Sequence, residues 1–122
     1  MTITTFLMFE GRASEAIELY VGLFGGAVET MTRMQDGRVQ HATFRLRDKI
    51  YAAIDSPAKH DFTFTPAISL FVDCADEAEF DTLFAALSSD GKVLMPPDNY
   101  GFSRKFAWCN DRFGVSWQIN LV

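Results

Sequence analysis

The sequence predicts an α+β fold made of two tandem β-α-β-β-β modules forming a curved mixed sheet around a cavity. Two observations carry this. The order strand, helix, turn and three strands occurs once from Ile3 and again from Ala67. Each module has one helix for one face of its strands, so the other faces are left to line a shared hollow.

The first strand is read over residues 3–9, ITTFLMF, which is rich in β-branched and aromatic side chains. A helix follows, because Ala13, Ala16, Ile17, Tyr20, Val21 and Phe24 recur on one helical face. Gly25-Gly26 stands where a helix ends in a left-handed residue. Strands are expected near 27–34, 39–47 and 49–55. Asp36-Gly37 marks the first hairpin turn and Arg47-Asp48 the second.

Residues 56–66, SPAKHDFTFTP, show no period and are read as a linker between module one (1–55) and module two (67–122) of a single domain. A strand is expected over 67–73. Asp76, with Glu79 three residues on, resembles a capping box. Phe80, Leu83, Phe84 and Leu87 give the second helical face, and Asp90-Gly91 ends it. Strands over 92–96, 102–109 and 115–121 complete the module, with Asn110 to Gly114 as the last turn.

Composition bounds function. Of 122 residues, 48% are hydrophobic, enough for a packed core. Twelve Phe, three Tyr and two Trp are too many rings for one small core to enclose, so some face a cavity or solvent. The net charge of −5 disfavours nucleic acid, whose phosphates need a basic surface. No apolar run reaches the roughly 20 residues of a membrane span, and no secretory signal is visible. Cys74 and Cys109 are expected as reduced, buried thiols in a cytoplasmic protein.

Several strings are familiar. They are Phe6-Leu7-Met8-Phe9-Glu10-Gly11, Glu15-Ala16, Tyr20 and Leu23-Phe24-Gly25, then Val39-Gln40-His41-Ala42 and Asp55. Met95-Pro96 and the run Asn110-Asp111-Arg112-Phe113-Gly114-Val115-Ser116-Trp117-Gln118-Ile119 follow. Across nearly its whole length the chain resembles the PhnB-like branch of the vicinal-oxygen-chelate (glyoxalase/bleomycin-resistance/dioxygenase) superfamily. It is also similar to sequences called 3-demethylubiquinone-9 3-methyltransferase-like. A methyltransferase needs a glycine-rich loop between a strand and a helix, whereas Gly22, Gly25 and Gly26 lie at a helix end and no G-x-G occurs.

The resemblance implies a glyoxalase/bleomycin-resistance-like fold, a homodimer, and a metal held by four side chains on the concave sheet. Those four positions fall on Thr4 or Thr5, Asp55, Ala67 and Gln118. Only Asp55 is a good ligand for a transition metal. The expectation is therefore a site with no metal and no cofactor.

Strand alternation places Ser116, Gln118 and Asn120 on one face of the last strand, opposite Trp117, Ile119 and Leu121. In the fifth strand it places Ala67, Ser69 and Phe71 toward the hollow. Gln118, whose amide both donates and accepts, is the first candidate ligand contact, with Ser116 and Ser69 beside it. The competing reading of this polar set is solvated surface. Phe71 and Trp108 offer stacking surface, and Arg104 with Tyr100, Phe102 and Trp108 could clamp an anionic or planar ligand. His41, on a face read as Val39, His41 and Thr43, is a candidate base or a half-exposed structural histidine. Asp55 is a candidate acid/base group or a strand-end residue, and His60 sits in the linker. Cys109 has no base placed beside it.

The leading expectation is a small-molecule-binding protein with no metal. The alternatives are a lyase, isomerase or dioxygenase with a metal relocated to His41 and Asp55, and an interaction domain whose hollow is filled by its own Phe side chains.

Overall fold

Each half of the chain buries its apolar residues between one helix and one face of one four-stranded sheet. The computed structural model, which describes residues 1–122, divides into two units, Met1–Asp61 and Phe62–Val122. The boundary lies inside the segment read as a linker.

The first unit runs β1 (Thr5–Phe9), α1 (Ala13–Phe24), β2 (Ala27–Arg33), β3 (Val39–Leu46) and β4 (Lys49–Asp55). Its sheet order is β1-β4-β3-β2, with β1 parallel to β4 and the other pairs antiparallel. The second unit runs β5 (Leu70–Cys74), α2 (Glu77–Ser88), β6 (Lys92–Asp98), β7 (Lys105–Asn110) and β8 (Ser116–Leu121). Its order, β5-β8-β7-β6, repeats the same topology.

The helices form where the periodicity places them. Ala13, Ala16, Ile17, Tyr20 and Phe24 of α1 are buried, with Leu7, Phe9, Ala42, Phe44 and Ala53 of the sheet. In the second unit Phe80, Leu83 and Leu87 of α2 are buried with Ala107, Cys109, Trp117, Ile119 and Leu121. Asp76 caps α2 by accepting Glu79 N–H at 2.8 Å, and Glu79 returns to Ala75 N–H at 3.0 Å.

Both units use a glycine where β2 or β6 begins. Gly25 ends α1 in a left-handed conformation, but the demand on Gly26 is steric, since a Cβ there would lie 1.7 Å from Arg45 O. Gly91 is in the same situation against Asn110 O, at 2.1 Å, while the left-handed residue beside it is Asp90. Each glycine lets the chain leaving the helix press against the end of the second hairpin strand.

Four expectations need correction. β1 starts at Thr5 rather than residue 3. β5 starts at Leu70 rather than 67, because Thr65 to Ile68 form a turn with Pro66 at its second position. β7 starts at Lys105 rather than 102, because Tyr100 and Gly101 take positive φ (55° and 82°) and turn the chain. Arg104 and Phe102 therefore lie in the β6–β7 loop. Finally, Val39 does not share a face with His41. The β2–β3 register shifts opposite Gln40, which leaves Val39 buried and His41 exposed.

Gly26→Ala and Gly91→Ala are each expected to lower stability by about 2–3 kcal/mol, because the added methyl meets backbone that cannot rotate away. Denaturation midpoints of the two variants check this against Gly22→Ala inside α1, whose methyl meets no atom within 4 Å and which should raise stability by about 0.5–1 kcal/mol.

Candidate functional site

Asp55 ends β4 and is 1% exposed. Its Oδ1 accepts Gly11 N–H at 2.7 Å and Ala13 N–H at 3.0 Å, and its Oδ2 accepts Val39 N–H at 2.9 Å. Arg12, the residue in the cap position of α1, makes no side-chain cap bond. Asp55 thus satisfies the entry to α1 from 42 residues away and ties it to the start of β3. The side chain lies on the helix face, with its lone pairs directed at main-chain donors. Its neighbour on the opposite face, Ile54, has no donor atom.

The first unit's other face, away from α1, carries His41. Phe6 lies beside it with ring centroids 6.1 Å apart, reaching over Ala52. Thr43 on the same face shares a hydroxyl hydrogen bond with Thr30 at 2.6 Å. His41 and Asp55 therefore sit on opposite faces of the sheet and are not brought together. The pairing of these two residues as metal ligands or as an acid/base couple is overturned by strand alternation. Thr5 alternates with Leu7 and Phe9 onto the helix face, and Ala67 lies in the turn before β5. No three His, Cys, Asp or Glu side chains gather where they could hold an ion. The residues at the four positions assigned by resemblance do not fit a metal.

The second unit's face away from α2 is a grid. Phe71, Gln118, Trp108 and Met95 form one row across β5, β8, β7 and β6. Asp73, Asn120, Phe106 and Asp98 form the next, and Ser116 and Asn110 pair in the row on the other side. The polar column on β8 is bonded along its length. Gln118 Nε2 donates to Ser69 Oγ at 2.7 Å, Trp108 Nε1 donates to Ser116 Oγ at 2.8 Å, and Asn120 Nδ2 donates to Asp73 Oδ1 at 2.9 Å. Ser103 donates its hydroxyl to Asn120 Oδ1. Ser116 is buried with Trp108's indole as its partner, while Gln118 is half-buried.

The aromatic wall differs from the expected one. Tyr100 stacks on Phe102 at 6.1 Å, and both meet Phe106 edge-on, at 6.0 and 5.0 Å. Phe71 approaches the same Phe106 at 6.3 Å. Trp108 turns to Ser116 instead of joining them. Phe106 and Asn110 were not singled out from the sequence, although the alternation Phe106, Trp108, Asn110 along β7 carries the signal. Arg104 is exposed at an open hollow of about 600 Å³ that Asn99, Phe102, Ser103 and Asn120 also line.

The run from Asp111 to Ile119 is structural at its start. Asp111 Oδ1 accepts Phe113 and Val115 N–H at 2.9 and 3.0 Å, and Oδ2 accepts Trp117 Nε1 at 2.9 Å. One buried carboxylate closes the β7–β8 turn and fixes the indole under α2. His60 is exposed, with Nε2 2.9 Å from Ser56 Oγ. Cys74 and Cys109 are buried and unbonded, and burial pushes both thiols from an ordinary 9.0 up to about 11, with nearby carboxylates adding to it. Cys109 is thereby a poor nucleophile. No helix is long and apolar enough to cross a membrane.

Two outcomes follow from these buried groups. Asp55→Ala is expected to cost roughly 3–5 kcal/mol, because it orphans buried main-chain donors. Hydrogen exchange should show protection lost at Gly11, Ala13 and Val39 first. At pH 8 a thiol with a pKa of about 11 is ionised to on the order of one part in a thousand. Native protein should therefore react slowly with an aromatic disulfide reagent, faster as pH rises toward 11, and at once when unfolded. Rapid labelling of Cys109 at pH 8 would contradict the burial.

Comparison with known proteins agrees with the fold. A family model described as 3-demethylubiquinone-9 3-methyltransferase matches residues 1–120. A PhnB protein from Bacillus cereus bearing the same description is 48% identical, with a TM-score of 0.97 and 100% of both chains covered. A Pseudomonas aeruginosa protein is 26% identical, with a TM-score of 0.86 over 99% of this chain and 97% of its own. The fosfomycin resistance protein FosX from Mesorhizobium loti, at 10% identity, has a TM-score of 0.66 over 98% of this chain and 90% of its own, a likeness of fold alone. No curated protein matches. The α+β architecture of duplicated βαβββ units is that of the glyoxalase/bleomycin-resistance-like structures.

Proposed function

The chain belongs to the PhnB-like, 3-demethylubiquinone-9 3-methyltransferase family of the vicinal-oxygen-chelate superfamily, and from that premise we propose that it binds a small aromatic molecule without a metal, on the β5-β8-β7-β6 sheet face turned away from α2. The reading includes a cytoplasmic protein acting as a homodimer. What supports it most is the make-up of that face. Phe71 and Phe102 are 55% and 64% exposed, large rings that a folded chain ordinarily covers; both flank Phe106, and Phe71 pairs across the strands with Gln118, which bonds Ser69. Apolar surface with a few fixed polar groups is the chemistry of a small-molecule site.

The saturation of Asp55 supports the metal-free part. A carboxylate that already accepts three main-chain N–H bonds and is 1% exposed has little capacity or access left for an ion. The methyl transfer in the family's name finds no matching scaffold. Each sheet is mixed and four-stranded, not doubly wound, and the N–H groups at the entry to α1 are taken by Asp55. The residues do not fit S-adenosylmethionine in the way a doubly wound methyltransferase would hold it.

The test joins two measurements on protein purified without chelator. Elemental analysis should find substoichiometric transition metal. Titration with 2-naphthol should quench tryptophan fluorescence, and Phe71→Ala or Gln118→Ala should weaken binding about 10-fold. A stoichiometric metal lost in His41→Ala would instead establish the metal-dependent enzyme. Failure of 2-naphthol and similar aromatics to bind would favour an interaction domain.

A further inference from the structure

The β6–β7 loop shapes the open hollow of about 600 Å³ beside Asn120, and its lining combines a positive charge with an exposed ring. The loop is held both from within and from the sheet. Gly101 N–H donates to Asn99 Oδ1 at 3.0 Å, and Phe102 and Ser103 N–H donate to Asn99 O at 3.2 Å. Arg104 N–H donates to Leu121 O at 3.1 Å. Positive φ at Tyr100 and Gly101 turns the chain, and Phe102 and Arg104 both line the hollow that results.

Arg104 is the arginine that the fold leaves unspent. Arg12, Arg38 and Arg45 pair with Glu15, Asp36 and Glu29, and Arg33 donates to Gly37 O and Ser14 Oγ. The exposed Arg104 guanidinium has no ion pair or hydrogen bond, although the chain end at Val122 lines the same hollow. Asp73 and Asp98, the carboxylates in the row of Asn120, accept N–H from Asn120 and Asn99 instead. Phe102 is fixed by Tyr100 at 6.1 Å and Phe106 at 5.0 Å, and still is 64% exposed. One N–H of the Asn120 amide goes to Asp73, which leaves the second to donate.

We infer that this hollow takes the carboxylate of a planar aromatic acid. The ring lies on Phe102, the carboxylate meets the Arg104 guanidinium, and the second Asn120 N–H supports it. This rests on the small-molecule-binding reading above and names the ligand's class. A guanidinium presents paired N–H donors that match the two oxygens of a carboxylate. An exposed ion pair by itself adds little, so flat contact with Phe102 has to accompany it. The pair of demands selects a charge attached to a ring over a neutral ring of the same shape.

Three ligands with one ring system test this by calorimetry: 2-naphthoate, 2-naphthol and the cationic 2-naphthylmethylamine. The expected result is that 2-naphthoate binds about 5-fold more tightly than 2-naphthol, with the amine weakest. Arg104→Gln, at an exposed loop position, should bring the ratio of the first two toward one. Equal binding of 2-naphthoate and 2-naphthol, or preference for the amine, overturns this inference and leaves a small-molecule binder standing. So does a preference for 2-naphthoate that survives Arg104→Gln. No binding by any of the three overturns both readings.

Discussion

One helix per four-stranded sheet leaves each unit with a face that its own helix does not cover, and the placing of every other side chain follows from that constraint. Strand alternation then sorts every side chain into a buried helix-face set and a far-face set. On the helix faces lie the apolar residues that supply most of the stabilisation. On the far face of the second sheet lie Phe71, Gln118, Trp108 and Asn120, residues that packing alone does not demand.

Two buried carboxylates and two glycines make the alternation exact in place. Asp55 does for α1 what Asp76 does for α2, but from the end of the sheet rather than from the helix's own cap position. Asp111 closes the last turn and holds Trp117 beneath α2. Gly26 and Gly91 let the two edge hairpins close against the chain leaving each helix. These are positions where an acidic residue or a glycine looks functional in a sequence and proves to carry the fold.

The duplicated order of elements was legible because its signals are local: helical periods at Ala13 to Phe24 and Phe80 to Leu87, and turn pairs such as Asp36-Gly37. Boundaries failed where the deciding contact is not local. The Pro66 turn delays β5, positive φ at Tyr100 delays β7, and the shifted register opposite Gln40 moves Val39 to the buried face. Of the site, the two-face split of β8 was readable from alternation. The role of Asp55 was not, because its partners Gly11, Ala13 and Val39 are remote in sequence. Nor was the bond from Asn120 to Asp73, because hydrogen-bond satisfaction depends on which neighbours the sheet register supplies.

The chain's two tryptophans lie on opposite faces of the same sheet, Trp108 bonded to Ser116 and Trp117 bonded to Asp111. They allow one direct measurement of where a ligand docks. In ¹H–¹⁵N spectra of the intact chain titrated with 2-naphthol, the indole resonance of Trp108 and the side-chain amides of Gln118 and Asn120 should move together, with the Trp117 indole unmoved. Shifts confined to Trp117 and the residues of α2 would place binding on the wrong side of the sheet and contradict the account.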